Sequence, residues 1–396
     1  MKEHLAQHST IFAAMNKHFY GQDFTLGILG GGQLGRMFIQ EAINLNLSVD
    51  ILDPDPNAPC KEIATQFSVG DLNDFDTVLD FGKNKDVVTI EIEHVNVDAL
   101  EQLEKQGVVV YPQPAVLRII QDKGLQKEFY TTHNIPTAPF HLINEKAEIN
   151  AFMDQAPFMQ KLRKGGYDGR GVTPIRSEKD LANAFDAPSL LEKFVDFKTE
   201  ISVIVGRNPN GDIKAFPTVE LSFNPAANLV EFLFSPGELS KDVERKAQEL
   251  AKSVADALGI VGILAIEMFV TQDDEVLVNE IAPRPHNSGH QSIEANITSQ
   301  YAQHLRSIMN LPLGDTSVVK PSVMVNLLGE KECTGPAVYQ NLEEVLSWPG
   351  VYVHLYGKKV TKPYRKMGHV TVVNSSLRKA KDIAIQVKET LKVISA

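Results

Sequence analysis

Between Lys161 and Val172 the chain reads KLRKGGYDGRGV, with four glycines (Gly165, Gly166, Gly169 and Gly171) interleaved with Lys161, Lys164 and Arg170. Glycines let backbone N–H groups converge on phosphate oxygens, and the cations neutralise the charge. The spacing is not Gly-x-x-x-x-Gly-Lys-Ser/Thr, so a P-loop is excluded. A surface hairpin is the competing reading of such a composition, although Tyr167 and Asp168 at its centre exceed what solvation needs.

A second set is acidic. The apolar segments ILAIEMFV and EVLVNEIA flank Asp273–Asp274. A hairpin turning there sets Glu267 directly opposite Glu280, and like charges facing each other in a sheet repel. A hard divalent cation that also bridges substrate phosphates would relieve this, since Mg²⁺ is usually held by one or two carboxylates. The alternatives are a turn elsewhere, or two acids facing solvent.

NEIAPRPHNSGH, Asn279 to His290, leaves the second acidic strand and presents Arg284, His286, Asn287, Ser288 and His290. Its prolines and glycine forbid a regular helix, so His286 and His290 are not spaced as a helical zinc pair. The loop is placed to orient an anion. Further on, YGKKVTKPYRKMGH, Tyr356 to His369, is rich in Lys and Arg within an acidic chain. A solvated turn is the ordinary fate of such a run, and a clamp for an anionic substrate is the functional reading.

ILGGGQLGRM, Ile28 to Met37, carries Gly-x-Gly-x-x-Gly at Gly30, Gly32 and Gly35, with Asp53 about where a ribose-binding acid is expected. Either a dinucleotide sits there, or the glycines only permit a tight turn and close packing. Gln33 and Arg36 favour polar contact with some ligand.

The elements that must position these groups change character along the chain. FTLGIL, LSVDILD, VVTIEIE and GVVVYP read as strands, with helices at Gln33–Leu45 and Val97–Gln106. This β-α-β alternation implies a mostly parallel sheet, whose ligands bind at strand carboxyl ends. Gly30–Gly35 and Glu91–His94 both lie at such ends. From about Pro114 the pattern becomes α+β, including a long helix from Lys241 to Leu258. After LPLGDTSVVKP a smaller, strand-rich region closes with a helix whose apolar face holds Ala380, Ile383, Ala384, Val387 and Leu391.

The chain has 396 residues and suits two or three domains; 43% hydrophobic and 22% charged residues are those of a globular protein. A net charge of −11 argues against a nucleic-acid binder relying on a general positive field. No stretch approaches the roughly 20 apolar residues of a membrane span. Cys60 and Cys333 form no metal motif and suit a reducing, cytoplasmic setting. Residues 1–24 read as an N-terminal extension.

GILGGGQLGRM, TIEIEHV, IPTAP, GGYDGRG, NEIAPRPHNSGH, PSVMVNLLG and RKMGH occur in the order found in one family. The chain resembles the ATP-grasp superfamily and, within it, the N5-carboxyaminoimidazole ribonucleotide synthetases of purine biosynthesis. The resemblance implies a Rossmann-like domain over 25–119, an ATP-grasp domain over 120–313 and a small β-rich domain over 314–396. It implies that ATP and bicarbonate give carboxyphosphate and ADP, and that the carboxyl group passes to the exocyclic amine of 5-aminoimidazole ribonucleotide.

On matching positions, Lys123, Lys161, Gly166, Tyr167, Asp168, Gly169, Arg170, Gly171, Glu192, Lys193, Val195, Glu200, Asn279 and Glu280 would contact ATP. Glu267 and Glu280 would hold Mg²⁺, or Mn²⁺ in its place. Arg284, His286 and Asn287 would bind bicarbonate or carboxyphosphate. Gln33, Tyr167, Asp168, Arg170, Lys358 and Arg365 would meet the aminoimidazole ribonucleotide, with Asp168 engaging the attacking amine. Asp168, Arg284, His286, Asn287 and Lys358 are thus the catalytic candidates. The family suggests a homodimer, and neither a nucleic-acid nor a membrane partner is expected.

Departures occur at Lys123, where Arg is usual and Lys lacks the bidentate fork, at Phe223 in place of a histidine, and at Lys362 and Tyr364 in the basic run. Formate-dependent glycinamide ribonucleotide transformylase is the alternative within the superfamily. An NAD oxidoreductase and a silent nucleotide-binding module are alternatives of other classes.

Overall fold

The structure is a computed structural model, and it describes residues 24–166, 171–224 and 229–396. Most of the expected extension, and Tyr167, Asp168, Gly169 and Arg170, lie outside the described residues.

The first region is a parallel sheet of β1 (Thr25–Leu29), β2 (Ser48–Asp53), β3 (Gln66–Val69), β4 (Val87–Ile90) and β5 (Val109–Val110), in the order β3-β2-β1-β4-β5. Helix α1 (Gln33–Asn44) follows β1 and buries Leu34, Met37, Phe38, Ile39 and Ala42, the 3.6-residue stripe that faces a sheet. VVTIEIE is a strand only as far as Ile90. Beyond it Glu91 and Glu93 leave the sheet at the carboxyl end of β4.

Helix α2 (Lys123–Thr132) opens the central region, with Asp122 capping its N-terminus by accepting from Gly124 N at 2.8 Å. Four antiparallel strands follow: β6 (Phe140–Ile143), β7 (Phe158–Leu162), β8 (Val172–Ile175) and β9 (Ser189–Lys193), in the order β6-β9-β7-β8. Strands β7 and β8 pair antiparallel from Lys161↔Val172 outward, so the glycine-rich run is the stretch of chain that joins them.

The largest sheet combines β10 (Phe197–Arg207), β11 (Ile213–Ala215), β12 (Val219–Asn224), β13 (Leu229–Ser235), β14 (Gly262–Thr271) and β15 (Val276–Ala282) with strands from the last region. Ile201, Val203 and Val205 alternate toward a core shared with Val243, Ala247, Ala251, Val254 and Ala255 of α3 (Lys241–Leu258). Period-2 alternation therefore sends Glu200 and Ser202 to the opposite face. After Ala282 come α4 (Ser292–Ala295) and α5 (Gln300–Ile308), the latter packed on α1.

In the last region β16 (Ser322–Leu328) pairs with β13, and β18 (Val351–Leu355) and β20 (Lys366–Val373) extend the sheet beyond it. Strands β17 (Gly335–Gln340), β19 (Val360–Thr361) and β21 (Lys392–Ser395) form a smaller sheet, and α6 (Leu377–Thr390) buries Ala380, Ala384 and Val387. The third region thus has no large sheet of its own. Its strands continue the central one, which fixes the position of the basic run relative to the acidic hairpin.

Candidate functional site

Glu267 stands opposite Glu280 in the β14–β15 ladder. The route to that pairing differs from a simple hairpin. Val270 pairs with Val276, so the loop is centred on Asp273, with Asp274 in the left-handed region at φ 63°. Continued without interruption, that register would put Glu267 opposite Asn279. A β-bulge between Met268↔Val278 and Glu267↔Glu280 leaves Asn279 unpaired and shifts the register by one. Val276, Val278 and Ile281 consequently all face the core, while Asn279 and Glu280 both turn toward the same cleft.

Two lysine–carboxylate systems meet these residues. Lys123, at the first position of α2, reaches Glu280 Oε1 at 2.7 Å. Lys161, at the end of β7, donates to Glu192 Oε1 at 2.7 Å and to Asn279 Oδ1 at 3.1 Å. Glu192, on β9, is also paired with Lys127 of α2 at 2.5 Å, both side chains being only 4% exposed. Burial works to raise the Glu192 carboxyl, but Lys161 and Lys127 outweigh it and hold it below the ordinary range. Lys123, Lys127, Lys161, Glu192, Asn279 and Glu280 line one small cavity.

The hairpin and α2 are locked together. Arg163 presents its guanidinium fork to Asp122, Nε to Oδ1 at 2.8 Å and NH2 to Oδ2 at 3.0 Å, and its carbonyl accepts from Lys123 N at 2.9 Å. Arg163 and Lys127 were not distinguished in the sequence. Their roles follow from pairings across long stretches of chain that no local spacing signals.

Glu267 is pushed up to about 7 by burial, and further by the neighbouring charges of Glu280 and Glu200, against the pull of Lys366 and Lys123. Glu200, on the same face, is raised to about 7 by burial, with Lys161 opposing. For Glu280 burial is outweighed by Lys123, and the carboxyl lies below its usual range. Carboxylates facing each other at such a cost, with an amide oxygen beside them, are a donor set suited to a hard divalent cation that keeps part of its shell for phosphate oxygens.

The loop from Arg284 to His290 closes the cleft from the next side. Arg284 Nε pairs with Glu93 Oε1 of the first region at 2.8 Å. The Gln300 side chain accepts from His286 N at 2.8 Å and donates to His286 O at 2.7 Å, pinning the loop's backbone. Asn287 opens a short 3₁₀ turn, and Ser288 Oγ lies 2.8 Å from Ser202 Oγ of β10. Burial, then the charges of Arg284 and Lys366, hold His286 well below the usual imidazole range. It is therefore neutral, 3.8 Å from Glu267 Oε1.

In the first region Gln33 begins α1 and Leu34 N donates to Glu91 Oε1 at 3.1 Å. Asp53 is committed to the turn, accepting from Gly31 N at 2.6 Å and Asp55 N at 2.7 Å. The dinucleotide expectation thus has no support in the geometry: a protein carboxylate occupies the helix N-terminus, and the acid meant for a ribose holds backbone. From the third region, Lys358 Nζ donates to Lys366 O at 2.8 Å, and its charge acts on Glu91. Arg365 NH1 donates to the Val360 carbonyl at 2.6 Å. Lys366, not singled out in the sequence, acts on both Glu267 and His286. Lys193 and Val195 lie at and just beyond the end of β9, Gly166 and Gly171 flank the undescribed residues, and Phe223 is exposed on β12.

Comparison with known proteins matches this arrangement segment by segment. Residues 24–121 match the ribonucleotide synthetase preATP-grasp domain, 128–301 the ATP-grasp domain, and 322–383 the phosphoribosylaminoimidazole carboxylase C-terminal domain. The N5-carboxyaminoimidazole ribonucleotide synthase of Bacillus subtilis is 36% identical over 364 residues, covering 90% of this chain and 93% of that protein. The chain belongs to the N5-carboxyaminoimidazole ribonucleotide synthetase family, within the ATP-grasp superfamily.

The crystal structure of the family's Thermotoga maritima member superposes with a TM-score of 0.87 at 43% identity, covering 94% of this chain and 100% of that one. An Aspergillus clavatus synthase in complex with ADP and 5-aminoimidazole ribonucleotide gives 0.84 at 34% identity, covering 93% and 99%. The chloroplastic phosphoribosylaminoimidazole carboxylase of Vigna aconitifolia is 40% identical over 365 residues, and the chain spans 90% of itself but 65% of that relative. No helix among the described residues is long and apolar enough to cross a membrane.

Proposed function

We propose that this synthetase-family chain carboxylates the exocyclic amine of 5-aminoimidazole ribonucleotide with bicarbonate, at the expense of ATP. The observation that carries the reading is the convergence of Lys123–Glu280 and Lys161–Glu192 on one cavity, with His286 of the neighbouring loop 3.8 Å from Glu267, the cross-strand partner of Glu280. Lys161 and Lys123 would leave their carboxylate partners for phosphate oxygens, and Glu192 would keep Lys127 as its counter-charge.

Glu267 and Glu280, with Asn279 beside them, would hold Mg²⁺ or Mn²⁺, which when bound neutralises charge on the transferring phosphoryl group. A bicarbonate oxygen attacks the γ-phosphorus, the bond to the β-phosphate oxygen breaks, and ADP leaves. Arg284 and neutral His286 orient the resulting carboxyphosphate, with Asn287 as a further polar contact. The amine then attacks the carboxyl carbon, the C–O bond to phosphate breaks, and the amine gives up a proton. Asp168 is assigned to engage that amine, and Tyr167 and Arg170 to hold the ribonucleotide with Gln33, Lys358 and Arg365. Lys193, Val195 and Glu200 are assigned to the nucleotide, with backbone N–H groups of Gly166, Gly169 and Gly171 on its phosphates.

Much of the rate would come from positioning and fixed charge, since phosphoryl transfer leaves little covalent work to the protein. Cys60, buried in the first region's core, and Cys333 are both free thiols, which suits the cytoplasmic setting proposed with a homodimeric assembly.

The test is ADP release with the aminoimidazole ribonucleotide and bicarbonate supplied together and omitted singly, followed alongside loss of the free aromatic amine. Release requiring both, with the amine consumed in step, is the expected result. Release instead with formate and glycinamide ribonucleotide would transfer the chain to the transformylase reaction.

A further inference from the structure

Behind the anion loop lies a buried column of aromatic and imidazole rings that neither the substrates nor the metal site accounts for. His354 on β18 and His369 on β20 are cross-strand partners, and their rings stack at 4.4 Å with planes 8° apart. On its other side His369 packs against His290, ring centres 4.6 Å apart. His290 ends the 3₁₀ turn begun by Asn287, and its Nδ1 lies 3.0 Å from Tyr301 Oη and 3.3 Å from Gln300 Nε2. Gln300 is the residue that pins His286.

The column reaches toward Lys358 along one segment. His354 lies on β18, and Tyr356 and Lys358 follow on either side of Gly357, which turns the backbone at φ 75°. Tyr356 Oη lies 3.0 Å from His369 Nδ1, and Lys358 Nζ sits 5.6 Å from the centre of the Tyr356 ring. A second tie, His354 Nε2 to Glu294 Oε1 at 2.6 Å, joins the third region to α4, just after the loop. Burial above all keeps His290 and His369 neutral, the former lowered to about 3, so their contact is ring packing without ionic attraction.

We propose that His369 is a positioning residue that sets Lys358 relative to the anion loop, so that the activated carboxyl group reaches the amine and not water. The inference rests on the proposed reaction. Carboxyphosphate forms against the loop, whereas the amine is brought partly by the third region, and His369 is the ring at which the two are registered. If the register slips, water attacks the same carbon, the C–O bond to phosphate breaks, and bicarbonate and phosphate return. ATP would then be consumed without product.

The test compares ADP released with amine carboxylated in the full-length protein. Tyr356→Phe removes the hydroxyl without changing volume, and His369→Phe keeps a ring in the stack while removing its hydrogen bond. Both are expected to raise the ADP-to-product ratio about fivefold or more and the KM for the amine about tenfold, with ADP release changed about twofold at most, since misplacement costs capture more than formation. His369→Asn, which retains an acceptor near the position of Nδ1 but no ring, is expected to give a ratio between those of the parent and His369→Phe, and a ratio no lower than that of His369→Phe would overturn the role given to the Tyr356 hydrogen bond. ADP and product falling together in both Phe variants would overturn the proposal. Should His369→Phe fail to fold, Tyr356→Phe decides alone. A parent protein that does not carboxylate the amine would reject the proposed reaction and this role with it, an outcome distinct from a coupled parent with coupled variants.

Discussion

Leu34 donates its backbone N–H to the carboxylate of Glu91 at 3.1 Å. In a dinucleotide enzyme the same position, the first turn of a helix after a glycine-rich strand end, receives the cofactor's pyrophosphate. Here the chain supplies its own anion. A Cβ at Gly32 would lie well inside contact distance of Glu91 Oε1, and one at Gly30 would meet Oε2 at 2.9 Å. Gly30 also sits at φ +104°, where only glycine is comfortable. The motif is therefore a cradle for Glu91, whose ionisation the charges of Arg284 and Lys358 favour against burial.

That cradle has a steric and a titration signature. Gly32→Ala is expected to destabilise the protein by about 1–3 kcal/mol through overpacking, with the cost largely relieved in a Glu91→Ala background, as a double-mutant cycle by denaturant unfolding would register. Burial raises Glu91 from 4.5 to about 7, against the opposing pull of Arg284 and the Leu34 hydrogen bond. Between those values the unfolded chain binds fewer protons than the folded one, so this group's contribution to stability falls as pH rises and levels off above about 7. Glu91→Gln keeps an acceptor for Leu34 but cannot titrate. Its stability relative to the parent should improve from pH 4.5 toward 7, by on the order of 2 kcal/mol. A pH-independent difference would contradict this account.

For the facing carboxylates, a metal supplies the test. Added Mg²⁺ with ADP is expected to raise the melting temperature of the parent protein, since a ligand bound only by the folded state stabilises it. The shift should be much reduced in Glu267→Gln and Glu280→Gln. In ADP-release assays Glu280→Ala should lose on the order of a hundredfold or more in turnover, and chelation of divalent ions should silence the parent. Near-normal turnover of that variant would remove Glu280 from the proposed metal site.

How much of this could be read in the residues differs from element to element. The pairing of Glu267 with Glu280 was legible because apolar strands and a two-aspartate turn leave few registers. The turn is nonetheless centred on Asp273, and the bulge at Asn279 restores the expected pair. The bulge itself was not legible, although Asn279 and Glu280 are polar neighbours in an apolar strand. The helix Lys241–Leu258 was recovered to the residue because Ser240 caps it and Gly259 ends it in the left-handed region at φ 63°. The single large sheet running from β15 to β18 was hidden, because β13 and β16 are joined by pairing across nearly ninety positions. Lys127, Arg163 and Lys366 were missed for the same reason: each acquires its role from a partner far along the chain.

Glu192 separates two kinds of lysine, and stability should divide them. Lys127 is nearly fully buried beside it, whereas Lys161 remains 15% exposed and shares its ammonium with Asn279. Glu192→Gln strands Lys127 in the interior and is expected to cost about 3–5 kcal/mol. Lys127→Met removes the buried cation, leaves Lys161 to compensate the carboxylate, and should cost about half as much or less. Chemical denaturation of both variants measures the difference. Equal costs would mean that Lys161 does not compensate the carboxylate once Lys127 is gone.

Glu93 holds Arg284 by Nε at 2.8 Å, and Arg284 NH1 donates to the Pro285 carbonyl at 3.1 Å. A guanidinium fixed in this way has its plane set before an anion arrives, and orientation of a charged donor is worth more than its presence alone. Glu93→Ala frees the guanidinium plane while leaving the positive charge. The expected effect is a rise of about tenfold in the KM for bicarbonate, with kcat changed less, because the loss falls on binding that precedes phosphoryl transfer. Arg284→Lys should behave similarly, since it keeps charge and loses the planar fork. Arg284→Ala should lose turnover as well, having no cation to meet carboxyphosphate. Initial rates over a bicarbonate series for the three variants provide the measurement. A Glu93→Ala protein with an unchanged bicarbonate KM would show that Arg284 is oriented by its own loop, and that the first region contributes Glu93 only to the joint between domains.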